Sequence, residues 1–401
     1  MMTREYLSKN KRLLNDTLTE LGGNRKLSQG LKWKVTQEPW NPSRGRQASL
    51  EEIAQKAFPR LYPFIKSYQT YHQEGAVKMK SYRPTRIAII DNGIMNMPHV
   101  SGRQANKKTS SKQSSGSDRK YNGERANNNE SNTDWNDTTS SNQVKEHKTL
   151  WDRIRVGCSF VDDGNHLSQW MFASDPHGTQ MANLICAIDP KCELYVAKVT
   201  DGRFGITPER VARAIRWAIN MDVDIISMSF VILEESEELK GILEEAATKK
   251  DIIILCSAHD EGARASEAWP AASEHTTTIA ACNEYGVELR GTTTSCKWKL
   301  HGENIAAGTV PFLESTEHVT GSSAATAIAA GLSSLILSCY RLVKGMEERR
   351  ALRKETVDAY FRQLQSTQTS NYVLLEKFGR IDVKVREGEP IDAKTIIHQW
   401  F

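Results

Sequence analysis

Two adjacent serines stand where a loop of the sequence turns into an alanine-rich apolar segment. The stretch VTGSSAATAIAAGLSSLIL, residues 319–337, places Ser322 and Ser323 directly after Gly321. Serine and threonine are common N-caps, so the pattern is typical of a capped and closely packed helix. A serine at a helix start can equally be a nucleophile, if a base lies within hydrogen-bond reach. The stretch alone leaves both interpretations open.

A carboxylate and an imidazole stand at comparable points earlier in the chain. Asp91 ends the short apolar run RIAIID, and His177 begins the segment HGTQMANLI. Alone, an Asp after a strand is as often a turn former or a helix cap, and a His at a helix start is often a surface residue. Together with a serine, these are the residue types of a nucleophile, a general base and the group that orients the base.

The segments around these residues alternate between predicted strands and predicted helices. Continuous apolar runs predict buried strands at RIAIID, ELYVAKV, VDIISMSF, DIIILCSA and TTTIAAC. The segment TPERVARAIRWAIN predicts a helix with Thr207 as N-cap and Pro208 at its first position, and SEELKGILEEAATKK predicts another. This order predicts an α/β fold with a parallel sheet, whose site lies at the carboxyl ends of the strands. Asp91, Ser229 and Ser257 all stand at such ends.

In the order Asp, His, Ser, the three segments resemble the motifs of the subtilisin-like serine peptidases. That family carries Asp-Ser/Thr-Gly, His-Gly-Thr-x-Val-Ala and Gly-Thr-Ser-x-Ala, and the matching stretches here are DNG from Asp91, HGTQMA from His177 and GSSAA from Gly321. The stretches ELYVAKV, AIRWAINMDVDIISMSF and ENIAAGTVPF also resemble elements of the family, so that the resemblance covers residues 84–340. It implies a three-layer α/β fold in which helices flank a central, mainly parallel sheet.

The resemblance assigns a role to each of the three residues. Ser323 would be the nucleophile that forms an acyl-enzyme, His177 the general base, and Asp91 the group that fixes the imidazole tautomer. The implied function is a serine endopeptidase whose partner is a polypeptide substrate. The alternative is a subtilase-fold binding or regulatory module with weak or no turnover.

The departure from the family pattern with the clearest chemical consequence concerns the oxyanion hole, where the family carries Asn in an Ala-Gly-Asn segment. The aligned stretch here is SAHDEG, residues 257–262, and Asp260 takes the place of the Asn. An ionised carboxylate only accepts hydrogen bonds, whereas a protonated one, kept neutral by desolvation, could donate. Loss of this donor in subtilisin costs about 10²–10³ in turnover, so the triad could still act slowly. The sequence leaves the effect of Asp260 open.

The resemblance also indicates which residues would bind substrate. They are Ser229, Phe230 and Val231, in place of a family Ser-x-Gly segment, and Ser257, Ala258 and His259. Val231 and His259 stand where the family carries glycine. Their side chains are expected to narrow the cleft, which predicts a restricted preference for the residue before the scissile bond.

No metal ion or other cofactor is predicted. Many subtilisins have a calcium-binding loop after the helix that carries the His, but only AIDPKC joins that segment to the next strand here. Asp189 and Asp201 are therefore interpreted as solvated loop residues rather than calcium ligands. No CxxC pair is present, so a zinc site has little support.

Composition excludes several classes of partner. A net charge of +4 in 401 residues, without basic residues interleaved with aromatics, does not predict nucleic-acid binding. The sequence suggests neither a membrane-spanning run nor an apolar signal segment. Seven cysteines, an odd number, favour free thiols in a reducing compartment, and the predicted location is the cytoplasm.

Three regions follow from changes in composition along the chain. They are a charged N-terminal extension over 1–80, a peptidase domain over 81–344 and a helical tail over 345–401. The extension contains one predicted amphipathic helix at SLEEIAQKAFPRLYPFIKSY. A polar insert at 101–146 cannot bury a core and is predicted to be disordered. The extension, or the C-terminal helix predicted in the tail, could bind a protein partner. For that helix, packing on the domain is an equal alternative.

Overall fold

The computed structural model describes residues 47–78, 82–95, 149–161, 169–202, 205–260, 268–289, 295–345 and 353–401. These residues belong to one compact unit that runs from Gln47 to Phe401. The insert predicted at 101–146 and residues 1–46 of the extension lie outside the described residues. The boundaries predicted after residues 80 and 344 fall inside the compact unit.

The centre of the unit is a sheet of parallel strands. Within the described ranges this sheet has seven strands, which are β1 (Arg86–Asp91), β2 (Ile154–Ser159), β3 (Glu193–Lys198), β4 (Ile225–Met228), β5 (Ile253–Ser257), β6 (Thr277–Cys282) and β7 (Trp298–His301). Their order across the sheet is β2-β3-β1-β4-β5-β6-β7, and every neighbouring pair is parallel. A short antiparallel pair, β8 (Ile305–Ala306) and β9 (His318–Val319), lies beside it. The predicted α/β fold is confirmed.

The helices of the described residues lie before, between and after these strands. They are α1 (Leu50–Ala57), α2 (Tyr62–Lys78), α3 (His177–Ile188), α4 (Pro208–Asn220), α5 (Glu237–Glu244), α6 (Ser322–Lys344), α7 (Arg353–Gln363), α8 (Ile381–Glu387) and α9 (Ala393–Trp400). Thr207 caps α4 by accepting from the Arg210 N–H, and Pro208 is its first residue, as predicted.

Helices cover both faces of the sheet because the strands are apolar on both sides. Ile87 and Ile89 of β1 belong to the core that contains α3 and α6, whereas Ala88 and Ile90 belong to the core that contains α4 and α5. A strand buried on both faces has no polar alternation, which explains its continuous apolar sequence. The resulting three layers place the carboxyl ends of the strands at one edge of the domain.

Helix α6 runs through the larger core and is almost completely buried. It is long and apolar enough to cross a membrane, but 89 % of its most apolar stretch is buried within the domain. The expectation that no apolar segment is long enough to span a membrane is therefore wrong, although burial in the core explains why this helix is apolar. A Cβ added at Gly331 would lie 2.8 Å from the Ile185 carbonyl oxygen of α3. Small residues are thus what allow α3 and α6 to approach each other.

The N-terminal and C-terminal segments pack on the same core as α6. The prediction of a single helix at residues 49–68 is wrong, because one helix ends at Ala57 and a second begins at Tyr62, with Pro59 between them. Phe64 of α2 lies 4.8 Å from Phe378, ring centroid to ring centroid. Phe361 of α7 is likewise buried. The burial of Phe361 agrees with packing of this tail helix on the domain, and its partner-binding role stays a prediction.

One fully buried carboxylate joins several elements at the amino ends of the strands. Asp224, just before β4, accepts from Arg83 at 2.7 Å, from Arg341 at 2.8 Å and from Arg353 at 3.0 Å. Burial alone would raise the pKa of Asp224, but the guanidinium groups of Arg341, Arg83 and Arg353 outweigh that effect and lower it below the ordinary value. The cluster connects α6 and α7 to the sheet.

Replacement of Asp224 by alanine is expected to lower the free energy of unfolding by about 3–5 kcal/mol, because three cations would lose their buried counter-charge. The stabilisation is present above the ordinary carboxyl pKa of about 4 and is lost as the pH falls through the lower folded value. Chemical denaturation at pH 7 measures the change. Glu238→Ala, at an exposed pair with Arg216, is the matched control, expected to cost less than about 1 kcal/mol. Equal losses in the two variants would contradict this account.

Asp189 is not the solvated loop residue that the sequence suggests. It is fully buried and accepts hydrogen bonds from Ser334 at 2.5 Å and Ser338 at 3.0 Å, both on α6. Burial raises the pKa of Asp189, although these hydrogen bonds oppose the effect. Asp201 does lie largely in solvent, at 59 % exposure, and forms an ion pair of 2.7 Å with Lys198.

Candidate active site

The three residues with catalytic chemistry line one cleft at the carboxyl edge of the sheet. Asp91 is the last residue of β1, His177 the first of α3, and Ser323 the second of α6. The cleft has a volume of about 620 Å³. Residues 86 to 232 positions apart in the chain meet here because both helices begin at the edge where β1 ends.

The imidazole of His177 is hydrogen-bonded to the carboxylate of Asp91. His177 Nδ1 lies 3.0 Å from Asp91 Oδ1, the side chain of Asp91 is 7 % exposed and that of His177 is 31 % exposed. The same Oδ1 accepts the Asn92 backbone N–H at 2.8 Å. An acceptor at Nδ1 places the ring proton there and leaves Nε2 basic, which is the tautomer that a general base requires.

Neighbouring residues hold the start of α3 against the end of β1. Asn92 Oδ1 accepts the Gly178 N–H at 3.1 Å, and Asp175 Oδ1 accepts the His177 N–H at 2.9 Å. A Cβ added at Gly178 would lie 2.4 Å from the Gly93 carbonyl oxygen, so glycine is what allows this approach. Asn92 and Asp175 were not predicted as site residues. The signals in the sequence are that Asn92 belongs to the DNG stretch and that Asp175 stands two positions before His177.

Ser323 exchanges hydrogen bonds with the strand end on the other side of the cleft. Its hydroxyl donates to the Ser229 carbonyl oxygen at 3.1 Å, and the Ser229 hydroxyl donates to the Ser323 carbonyl oxygen at 3.3 Å. Because Ser323 stands in the first turn of α6, its backbone N–H has no intrahelical acceptor to bind. Ser323 thus carries both a hydroxyl group and a backbone N–H donor at the start of α6.

Asp260 acts as a double hydrogen-bond acceptor. Its Oδ2 accepts the Ser322 backbone N–H at 2.7 Å, and its Oδ1 accepts the Ser322 hydroxyl at 2.5 Å. Both oxygens of the Asp260 side chain therefore serve as acceptors toward one residue, Ser322.

The comparisons with known proteins identify the family. The profile of the subtilase family matches residues 83–374, which is well over half of the chain. The chain belongs to the subtilase family.

Similar curated proteins come from fungi and bacteria. The subtilisin-like protease het-Q2 of Podospora anserina is 32 % identical over 180 residues, which cover 40 % of this chain and 48 % of that protein. The major intracellular serine protease of Bacillus subtilis is 31 % identical over 126 residues, covering 29 % and 39 %. Subtilisin E of Bacillus subtilis is 25 % identical over 197 residues, covering 46 % and 51 %. The subtilase chain thus spans about half or less of the length of these relatives.

A solved structure agrees with the architecture. A variant of the protease domain of PatA superposes with a TM-score of 0.50 at 17 % sequence identity, covering 78 % of this chain and all of that domain. At this identity the similarity concerns the fold alone.

The predicted substrate-binding residues of the subtilase divide into two groups. Ser229, Phe230 and Val231 line the cleft together with Asp260. Ser257 and Ala258 are buried at the end of β5, and they and His259 are not among the described residues that line the cleft. Their predicted role in substrate binding stays a prediction, because residues 261–267 lie outside the described ranges.

The cysteines of the subtilase are not suited to act as nucleophiles. All seven cysteines are free, and burial raises the pKa of the Cys158, Cys256, Cys296 and Cys339 thiols and takes that of Cys282 to about 12. Thiols with such pKa values stay neutral near pH 7 and are poor nucleophiles. In the part of the chain that the structure describes, no group of three or more His, Cys, Asp or Glu residues could hold a metal ion.

Proposed function

We propose that this subtilase is a serine endopeptidase that cleaves polypeptides through an acyl-enzyme on Ser323. The observation that carries the proposal is the 3.0 Å hydrogen bond between His177 Nδ1 and Asp91 Oδ1, in the same cleft as the Ser323 hydroxyl. This pair supplies an oriented base, and the serine supplies a nucleophile at a helix start.

The proposed reaction begins when a bound peptide displaces the resting hydrogen bond between the Ser323 hydroxyl and the Ser229 carbonyl. Ser323 Oγ attacks the scissile carbonyl carbon while its proton passes to His177 Nε2. Asp91 stabilises the imidazolium that forms, and the Ser323 backbone N–H donates to the oxyanion. Collapse of the tetrahedral intermediate breaks the C–N bond, and His177 gives its proton to the leaving amine.

Deacylation repeats these steps with water as the nucleophile. His177 Nε2 takes a proton from the water, the oxygen of which attacks the ester carbonyl. The C–O bond to Ser323 then breaks and the proton returns to Ser323 Oγ. Every proton that the base removes is thus returned within one turnover.

The substrate is proposed to bind as an extended strand beside Ser229, Phe230 and Val231. Main-chain hydrogen bonds to such a segment give affinity without regard to sequence, whereas side-chain pockets give specificity. Phe230 and Val231 both line the cleft, and their bulk is proposed to restrict the residue before the scissile bond.

A cytoplasmic location is proposed on the basis of the thiols. All seven cysteines are free, and Cys186 and Cys192 remain unlinked although their sulfur atoms lie 3.8 Å apart. Such pairs are compatible with a reducing compartment. One relative is named as an intracellular protease, which agrees with this location.

Digestion of an unbiased peptide library, followed by mass spectrometry of the products, tests the proposal. We expect internal cleavages with a narrow preference at the residue before the cut, and none with Ser323→Ala. The alternative function, a binding or regulatory module, is favoured by the acceptor chemistry of Asp260. An intact library would support that alternative and contradict the endopeptidase.

A further inference from the structure

Helix α6 begins without a side-chain cap from its own segment. Its N-cap is Gly321, which has no side chain, so the first N–H groups of the helix must find acceptors elsewhere. Asp260 supplies one from 62 positions away, because its Oδ2 accepts the Ser322 N–H at 2.7 Å. The approach is close, since a Cβ at Gly321 would lie 3.0 Å from that oxygen. A carboxylate at this end of a helix is also favoured by the helix dipole.

The other oxygen of Asp260 ends a directed chain of hydrogen bonds. The Ala281 N–H of β6 donates to Ser322 Oγ at 3.0 Å, and Ser322 Oγ donates to Asp260 Oδ1 at 2.5 Å. Ser322 Oγ thus accepts one hydrogen bond, from the Ala281 N–H, and donates its own proton to Asp260. Ser322 is completely buried, so its hydroxyl cannot exchange these partners for water. The backbone and the side chain of Ser322 are therefore both fixed by one carboxylate.

We infer that Asp260 is a positioning residue, which fixes the Ser322–Ser323 peptide and thereby aims the Ser323 hydroxyl and N–H into the cleft. The inference rests on the proposed function, since it concerns the nucleophile of that reaction. Asp260 lines the cleft at the position of the family's oxyanion donor, yet both of its oxygens face donors on Ser322. In this inference Asp260 holds the segment that carries the nucleophile instead of donating a hydrogen bond to the oxyanion. The Ser323 N–H then donates to the oxyanion.

An asparagine at this position would anchor Ser322 poorly. Its single carbonyl oxygen can accept the Ser322 N–H or the Ser322 hydroxyl, but it cannot replace both carboxylate oxygens. Its amide group can donate to Ser322 Oγ, which leaves the buried hydroxyl proton of Ser322 without its present acceptor. The inference therefore predicts that Asp260→Asn lowers kcat. If the variant simply restored the family's oxyanion donor, kcat would instead rise by about 10²–10³-fold. The two explanations differ in the sign of the effect.

A double-mutant cycle tests the inference on the full chain, with a fluorogenic peptide and a fluorophosphonate as probes. We expect Asp260→Asn and Ser322→Ala each to lower kcat and the labelling rate roughly ten- to hundredfold with little change in KM. The double variant is expected to be no less active than the less active of the two single variants, because both substitutions disrupt the same hydrogen-bonded pair. Ser322→Thr keeps the hydroxyl and is expected to retain kcat within about threefold.

Asp392 provides a matched control at the start of α9. Its Oδ2 accepts both the Thr395 N–H at 2.8 Å and the Thr395 hydroxyl at 2.6 Å, so one carboxylate again holds a backbone N–H and a hydroxyl of one residue, here through a single oxygen and outside the cleft lining. Asp392→Asn is expected to leave kcat unchanged. A gain of activity in Asp260→Asn, or additive losses in the cycle, would overturn the positioning role while the endopeptidase stands. Failure of the wild-type chain to react with either probe would overturn both.

Discussion

Replacement of Ser323 by alanine is expected to lower kcat/KM for a cleavable peptide by about 10⁵–10⁶-fold. The variant removes the hydroxyl that attacks the carbonyl carbon and leaves the pair of His177 and Asp91 without its proposed nucleophile. Substrate binding beside Ser229 should persist, so KM is expected to change much less than kcat. Steady-state kinetics on a fluorogenic peptide gives both parameters.

Ser333→Ala is the matched control for this substitution. Ser333 lies on the same helix, is completely buried and donates its hydroxyl to the Ala329 carbonyl at 2.7 Å. Ser333→Ala makes the same change in side-chain chemistry at a position that does not line the cleft. The kcat/KM of this variant is therefore expected to match that of the wild type. A Ser323→Ala variant that keeps more than about a tenth of wild-type activity would show that another group is the nucleophile.

Replacement of Asp91 by asparagine is expected to lower kcat by about 10⁴-fold at neutral pH. An amide N–H facing His177 Nδ1 would favour the opposite tautomer, in which Nε2 carries the proton and cannot accept one from Ser323. If instead the amide oxygen takes the place of Oδ1, where it would accept from both the Asn92 N–H and His177 Nδ1, the tautomer is kept but the negative charge that stabilises the imidazolium is lost. Peptide kinetics, with circular dichroism to verify the fold, measures the effect.

Asp175→Asn distinguishes this tautomer effect from a general loss of charge near the imidazole. Asp175 accepts the backbone N–H of His177 rather than its ring proton, so its replacement should cost about tenfold or less. Equal losses in Asp91→Asn and Asp175→Asn would contradict the proposed role of Asp91 and would indicate that both carboxylates merely hold the start of α3.

The order of the strands and helices was largely predictable because their patterns are local. The run DIIILCSA is apolar without interruption, and only a strand buried on both faces needs such a composition, which β5 confirms. The N-cap Thr207 and the following proline marked the start of α4 to the residue. Strands β2 and β7 were not recognised, because they lie at the two edges of the sheet and are only partly apolar.

The contacts of the site were less predictable because they join distant parts of the chain. Asp260 and Ser322 are 62 positions apart, and no pattern within either segment indicates their two hydrogen bonds. Asp189 is misread for the same reason, since a polar residue in a short connection predicts exposure unless its partners on α6 are known. Motif order predicts Asp91, His177 and Ser323 as site residues, but the contacts that hold them became apparent only from the fold.

Mass spectrometry of the intact chain after reaction with a fluorophosphonate, followed by peptide mapping, tests the central claim most directly. The probe requires an activated serine but makes smaller demands on the cleft than a peptide does. The account predicts one adduct, located on Ser323, which forms much more slowly in Asp91→Asn and not at all in Ser323→Ala. A folded wild-type chain that acquires no adduct, or acquires one on a different residue, would contradict the assignment of Ser323, His177 and Asp91 as a working triad.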